Sequence, residues 1–111
     1  MIEKENAVAE LDRVLQCKGV DLIQFGPNDF AMSTGRPGEA MSPAVKEVER
    51  TVIRTCLAAG VAVRAEIASV EAAGYYLDLG VRHFSLYHDL QLMHSAWRDG
   101  GQRLREVIGD G

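Results

Sequence analysis

The chain has 111 residues, 47% of them apolar, and its 12 basic and 16 acidic side chains leave a formal charge of −4 at pH 7. That is enough apolar material for one core and excludes a disordered chain, while the scattered Lys and Arg residues form no basic stripe of the kind nucleic acid requires. No apolar run approaches the roughly 20 residues of a membrane span, the opening MIEKENAV is too charged for a secretory signal peptide, and Cys17 and Cys56 are too few for a disulfide framework. The expectation is a cytoplasmic, soluble single domain over residues 1–111, with no nucleic-acid or membrane partner and both thiols buried and reduced on apolar helix faces.

The predicted elements alternate between strand and helix. MIEKE opens as an extended segment. Asn6 is an N-cap candidate, and Val8, Leu11, Val14 and Leu15 recur at helical spacing up to Gly19. Val20 to Phe25 is a short apolar run of strand length. A long loop, GPNDFAMSTGRPGEAMS, follows with its three glycines and two prolines. Ser42 with Pro43 behind it is a strong helix start, and Val45, Val48, Val52, Cys56 and Leu57 form that helix's apolar stripe. Gly60 ends it, and Val61 to Ile67 is the next strand. Ser69 caps a third helix with Ala72, Ala73, Tyr76 and Leu77 facing inward, and Gly80 ends it. Val81 to Tyr87 is a fourth strand. A last helical region from Asp89 to Ile108 is broken at Gly100-Gly101.

One junction recurs three times, in CKGVDLIQF, AAGVAVRAE and LDLGVRHFSL: helix end, glycine, valine, strand. Strands alternating with helices predict parallel strands joined by right-handed crossovers. Strands apolar on both faces are those covered by helices. The fold class expected is therefore α/β, a (βα)4 unit.

Ligands of such folds bind at the carboxyl ends of strands. Standing there are Glu3 and Glu5, then Gly26-Pro27-Asn28-Asp29, then Arg64 and Glu66, and finally His88 and Asp89. Glu3 and Asp29 end adjacent strands about 4.8 Å apart, close enough to share a cation. Hard oxygen ligands suit Mg²⁺ or Mn²⁺. Gly26 permits close backbone approach, and the amides after Pro27, those of Asn28 and Asp29, can face a carboxylate. Around this group, Glu47, Glu49, Arg50 and Arg54 read as a solvated helix face. Tyr75, Tyr76 and Trp97 read as packing or interface residues. Met32 either lines a pocket or fills a gap, and Arg36 either meets a distal substrate carboxylate or faces solvent.

GVDLIQFGPNDFAMSTGRPGE resembles the Gly-Pro-x-Asp-Leu segment of the HpcH/HpaI aldolase family, within the pyruvate/phosphoenolpyruvate-binding superfamily of TIM barrels. MIEKENAV resembles the family's upstream strand ending in Ile-Glu, which puts its acidic residue on Glu3, 26 residues before Asp29. AAGVAVRAEI and LDLGVRHFSLYHD resemble the two strands that follow. The resemblance covers essentially the whole chain and maps it to the last four βα units, half of a TIM barrel.

The resemblance implies a class II aldolase, a carbon–carbon lyase that acts on a 2-oxo acid such as pyruvate through its enolate. It implies Glu3 and Asp29 as ligands of Mg²⁺ or Mn²⁺, with Co²⁺ a third option. It implies Gly26, Asn28 and Asp29 as the substrate-binding segment. The metal would act as a Lewis acid. In the family, the first half of the barrel supplies an arginine that steadies the enolate and an acid–base histidine, and neither is assignable here. Glu66 and His88 remain the catalytic candidates. Glu66 stands where many relatives carry an apolar residue, and it could pair with Arg64, read a polar substrate or add a third carboxylate. His88 could be a base or polar lining. Phe30 replaces the usual leucine. The alternative is a non-catalytic half-barrel. In either case two open sheet edges predict a homo-oligomer or a partner half-barrel. A receiver-type domain fits the length, but no acidic pair ends the first strand as required and no lysine ends the last.

Overall fold

In the computed structural model, which describes residues 1–109, three parallel strands stand in the order β1 (Leu22–Gln24), β2 (Ala62–Ile67) and β3 (His83–Leu86). Leu22 pairs with Ala62 and Gln24 with Arg64, and Arg64 in turn pairs with His83. The expected first strand is reduced to one parallel bridge between Ile2 and Phe25. It is held by two hydrogen bonds: the Ile2 amide donates to the Gln24 carbonyl at 2.8 Å, and the Gly26 amide donates to the Ile2 carbonyl at 2.9 Å.

The helices are α1 (Glu5–Ala9), α2 (Leu11–Leu15), α3 (Pro27–Ser33), α4 (Pro43–Ala58), α5 (Ala73–Asp78), which a 3₁₀ turn at Val70–Ala72 precedes, and α6 (Asp89–Ile108). The recurrent glycine has a geometric cause. At the end of α4, Gly60 takes φ +76° and its amide donates to the Leu57 carbonyl, while the Val61 amide reaches back to Cys56. At the end of α5, Gly80 takes φ +96° and bonds Leu77, while Val81 reaches back to Tyr76. This paired closure needs a left-handed residue, and it favours an apolar one just after it that packs back on the helix. The Gly-Val junction is that motif read as sequence.

Ser42 caps α4 as expected, accepting from the Val45 amide at 3.4 Å. The helix buries Val45, Val52, Ile53 and Cys56. On β2, Val63, Ala65 and Ile67 alternate with exposed residues and join the same core, together with Ile23, Phe25, Tyr76 and Val81. Val52, Cys56 and Val81 are fully enclosed.

Several expectations change. Lys4, not Asn6, is the cap of the first helix, and a non-helical Glu10 divides that helix into α1 and α2. The long loop contains α3, started by Pro27 and anchored by Phe30, whose ring lies 5.3 Å from that of Phe25. Cys17 is exposed because α2 ends at Leu15, which leaves the thiol in the turn beyond; Cys56 is buried, and both thiols are free. Leu77 is exposed. Glu49 is buried rather than solvated, because Lys46 and Tyr76 satisfy it: Lys46 Nζ donates to Glu49 Oε2 at 2.7 Å and to the Tyr76 hydroxyl at 2.9 Å, and that hydroxyl donates to Glu49 Oε1 at 3.1 Å.

The helix α6 runs unbroken through Gly100-Gly101 and buries none of its described side chains. At 20 residues it extends about 30 Å, and it draws the molecule out to 64 × 30 × 23 Å. Leu90, Met93, Trp97, Leu104 and Val107 are all exposed and spaced at helical intervals, so they form one apolar stripe. Among the described residues no helix is long and apolar enough to cross a membrane.

Candidate active site

Strand pairing sets the upper end of the sheet in rows. Beyond the Ile2–Phe25 bridge, Glu3 stands beside Gly26. The β1–β2 register, carried two residues past Gln24 and Arg64, sets Gly26 beside Glu66, and Glu66 pairs with Ser85. Glu3, Gly26, Glu66 and Ser85 thus form one row at the carboxyl end. Side chains alternate along a strand, so the row below on the same face is Gln24, Arg64 and His83. This is the face opposite the helices.

Gly26 is the cap residue of α3 and is buried. Its role is close approach: a Cβ built there would lie 3.1 Å from Met1 Cε, 3.2 Å from Glu3 Cβ and 3.3 Å from Glu3 Oε2. The Glu3 carboxylate is folded over the glycine backbone, at the mouth of α3. Asp29 lies in the first turn of that helix and is exposed, as is Asn28. An acidic residue there is favoured by the helix dipole. The amides of a helix's first turn have no intrahelical acceptor; with Pro27 lacking an N–H, those of Asn28 and Asp29 face outward from the helix start.

Glu66 does not pair with Arg64. Arg64 Nε donates to Gln24 Oε1 at 2.6 Å, and Gln24 Nε2 donates to Glu66 Oε1 at 2.5 Å. Gln24 is 5% exposed and bridges the two charges. The sequence reading missed it. The available signal was its place between Ile23 and Phe25, which alternation puts on the opposite face from those two core residues.

His88 is set apart from this row. It is the cap residue of α6, and its Nδ1 lies 3.4 Å from Asp89 Oδ1 with both side chains exposed. Tyr87, just before it, takes φ +66°, uncommon for a bulky residue, and this turns the chain from β3 into α6. A shallow cleft of about 100 Å³ lies there, lined by Ala68, Tyr87, His88, Gln91, Leu92 and Ser95. That is well below the roughly 300 Å³ of an ordinary ligand pocket. Met32 and Arg36 are exposed.

Among the described residues no group of three or more His, Cys, Asp or Glu side chains is placed to hold a metal ion. Two carboxylates are the candidates for a cation: Glu3, against the Gly26 backbone, and Asp29, in the first turn of the helix that Gly26 caps. A two-carboxylate set fits a hard cation such as Mg²⁺ that keeps waters and substrate oxygens in its remaining positions.

Four relatives put this arrangement in context. A hydroxypyruvate/pyruvate aldolase of Cupriavidus necator is 30% identical over 108 residues, covering 97% of this chain and 40% of that protein. A 2-keto-3-deoxy-L-rhamnonate aldolase of Escherichia coli is 30% identical over 95 residues, covering 86% of this chain and 36% of its own. The solved HpcH/HpaI aldolase of Desulfitobacterium hafniense superposes with a TM-score of 0.86 at 26% identity, over 94% of this chain and 40% of that one. A solved HpcH/HpaI aldolase/citrate lyase family protein of Burkholderia cenocepacia gives 0.82 at 31% identity, with the same coverage. The chain spans about 40% of the length of the curated aldolases it matches. The family model described as HpcH/HpaI aldolase/citrate lyase matches residues 1–96, and with the parallel strands superposing on solved members, this chain belongs to that family.

Proposed function

We propose that this chain carries the cation-and-carboxylate part of an aldolase site, one that makes or breaks a carbon–carbon bond of a 2-oxo acid such as pyruvate. The observation that supports it best is the Glu3 carboxylate folded over Gly26 at the start of α3, the helix that bears Asp29. Glu3 and Asp29 would hold a divalent cation, Mg²⁺, Mn²⁺ or Co²⁺. When bound, such a cation supplies Lewis-acid polarisation of the 2-oxo group and so eases loss of a proton from the neighbouring carbon. The outward amides of Asn28 and Asp29, with the backbone at Gly26, would bind and orient the substrate carboxylate. Of the two catalytic candidates, His88 caps α6 beyond the row, and Glu66 stands in the row tied to Gln24. In this reading the part of these residues is to bind and orient the substrate. The two free thiols fit a cytoplasmic setting.

Manganese binding, followed by electron paramagnetic resonance with and without pyruvate or oxalate, tests this reading. Binding that is strengthened by the 2-oxo acid and lost in Asp29→Ala is expected. Binding indifferent to Asp29→Ala would reject it. Slow exchange of the pyruvate methyl protons, at most, is expected from the chain alone.

The α6 stripe favours a second reading, a half-barrel that associates with itself or with a partner half. Sedimentation checks it, with a dimer expected and a monomer at high concentration refuting it.

A further inference from the structure

We propose that Glu66 selects the aldehyde partner of the reaction, favouring a neutral, hydroxyl-bearing aldehyde over an apolar one or one that carries an acid; the inference rests on the aldolase reading above. Three observations support it. Glu66 shares the upper row with Glu3 and Gly26, two strands from Glu3. At about 4.8 Å per strand, that places its backbone about 10 Å across from that of Glu3. Among the described residues Glu66 does not join Glu3 and Asp29 in a group placed to hold a cation, yet it stands within the span of a substrate seated on them. The residue between is Gly26, which sends no side chain into the gap.

Second, Glu66 is held in place. Arg64 can only donate, so it turns the Gln24 carbonyl toward itself and leaves the Gln24 amide to donate to Glu66. Gln24 is buried, so this orientation is fixed from both sides. Third, only Oε1 of Glu66 is engaged; among the described residues no hydrogen bond reaches Oε2, and Arg64 forms no ion pair with the carboxylate.

A carboxylate held by one oxygen presents the other as an acceptor. A substrate hydroxyl can donate to it, an apolar aldehyde leaves it unpaired, and an aldehyde acid meets like charge. The substrate carboxylate, drawn to the amides at α3, is kept at the opposite end of the row for the same reason.

The test uses the chain loaded with Mn²⁺ and pyruvate, and reads the paramagnetic broadening of aldehyde protons for glyceraldehyde, propanal and glyoxylate. In the wild type, glyceraldehyde is expected to be retained about tenfold better than either of the others, as one hydrogen bond to a charged group implies. Glu66→Leu should invert the order in favour of propanal. Glu66→Gln should keep glyceraldehyde and admit glyoxylate. Glu66 lies on the open face, so an unchanged urea midpoint checks that each variant is folded. Equal retention of the three aldehydes, a preference that survives Glu66→Leu, or no aldehyde retained at all would overturn the proposal. Broadening of the pyruvate methyl protons in the same samples separates the two claims. If pyruvate is broadened and the aldehyde order fails, only the role of Glu66 falls; if pyruvate is untouched, the aldolase reading falls and takes this inference with it.

Discussion

The two faces of the β1–β2–β3 sheet come from the same residues taken alternately, yet they are built on different terms. Toward the helices, Ile23, Val63, Ala65 and Ile67 meet Val52, Ile53 and Val81 in a dry core. On the other side, Gln24, Arg64, Glu66, His83 and Ser85 are polar, tied by two hydrogen bonds and largely open. Burial of apolar area drives folding, so the helix side specifies the structure. The open side carries little of that load, and its side chains are free to serve chemistry.

Four experiments would break or sharpen this contrast. The largest effect is expected from Ile53→Ala, which removes a side chain that is 1% exposed. It should cost about 3 kcal/mol, read as a fall in the urea midpoint with the slope unchanged. Glu49→Leu comes next. It leaves the Lys46 ammonium and the Tyr76 hydroxyl without their shared partner and should cost about 2 kcal/mol. Adding Lys46→Met should restore roughly half of that loss.

The third is alkaline titration, and it also reads the helix side. Burial pushes the Cys56 thiol from its ordinary 9.0 up to about 11. Burial likewise raises the Tyr76 hydroxyl, against the pull of Lys46. Burial draws the Lys46 ammonium down, but its bonds to Glu49 and Tyr76 outweigh this and raise it. Each group holds its proton more tightly folded than unfolded. Their stabilisation is full below pH 9 and is lost as pH rises through the folded values. Urea unfolding should show stability falling between pH 9 and about 11, and Cys56→Ala should move the onset upward toward that of Tyr76. The smallest effect is expected on the open face: Gln24→Ala should cost at most about 1 kcal/mol, since water can replace its bonds to Arg64 and Glu66. A loss as large as that of Ile53→Ala would erase the distinction between the faces.

What the sequence reveals follows the same division. The Gly-Val junctions at Gly60 and Gly80 and the Ser42-Pro43 start were legible because each is a local rule of backbone geometry. The helix α3 was not: at seven residues it has room for one buried pair, Phe30 and Ala31, and no stripe. Its Pro27 carried the same signal as Pro43 but stood in a run rich in glycine. Glu49 read as solvated because its partners are Lys46, one turn away, and Tyr76, 27 residues on, and no spacing rule joins the latter. At the candidate site, Glu3, Gly26 and Asp29 were legible as strand-end residues. The bridging of Arg64 and Glu66 by Gln24 was hidden, since it depends on pairing between strands 40 residues apart.

Gly26 has a use as a tool. A Cβ at that position would press on Met1 and Glu3, which would have to give by a few tenths of an ångström, while its φ of −105° is one that other residues adopt freely. Gly26→Ala is therefore a small wedge against the Glu3 side chain that leaves every charge on the chain in place. Mutating Glu3 or Asp29 confounds lost geometry with lost charge; the wedge tests geometry alone.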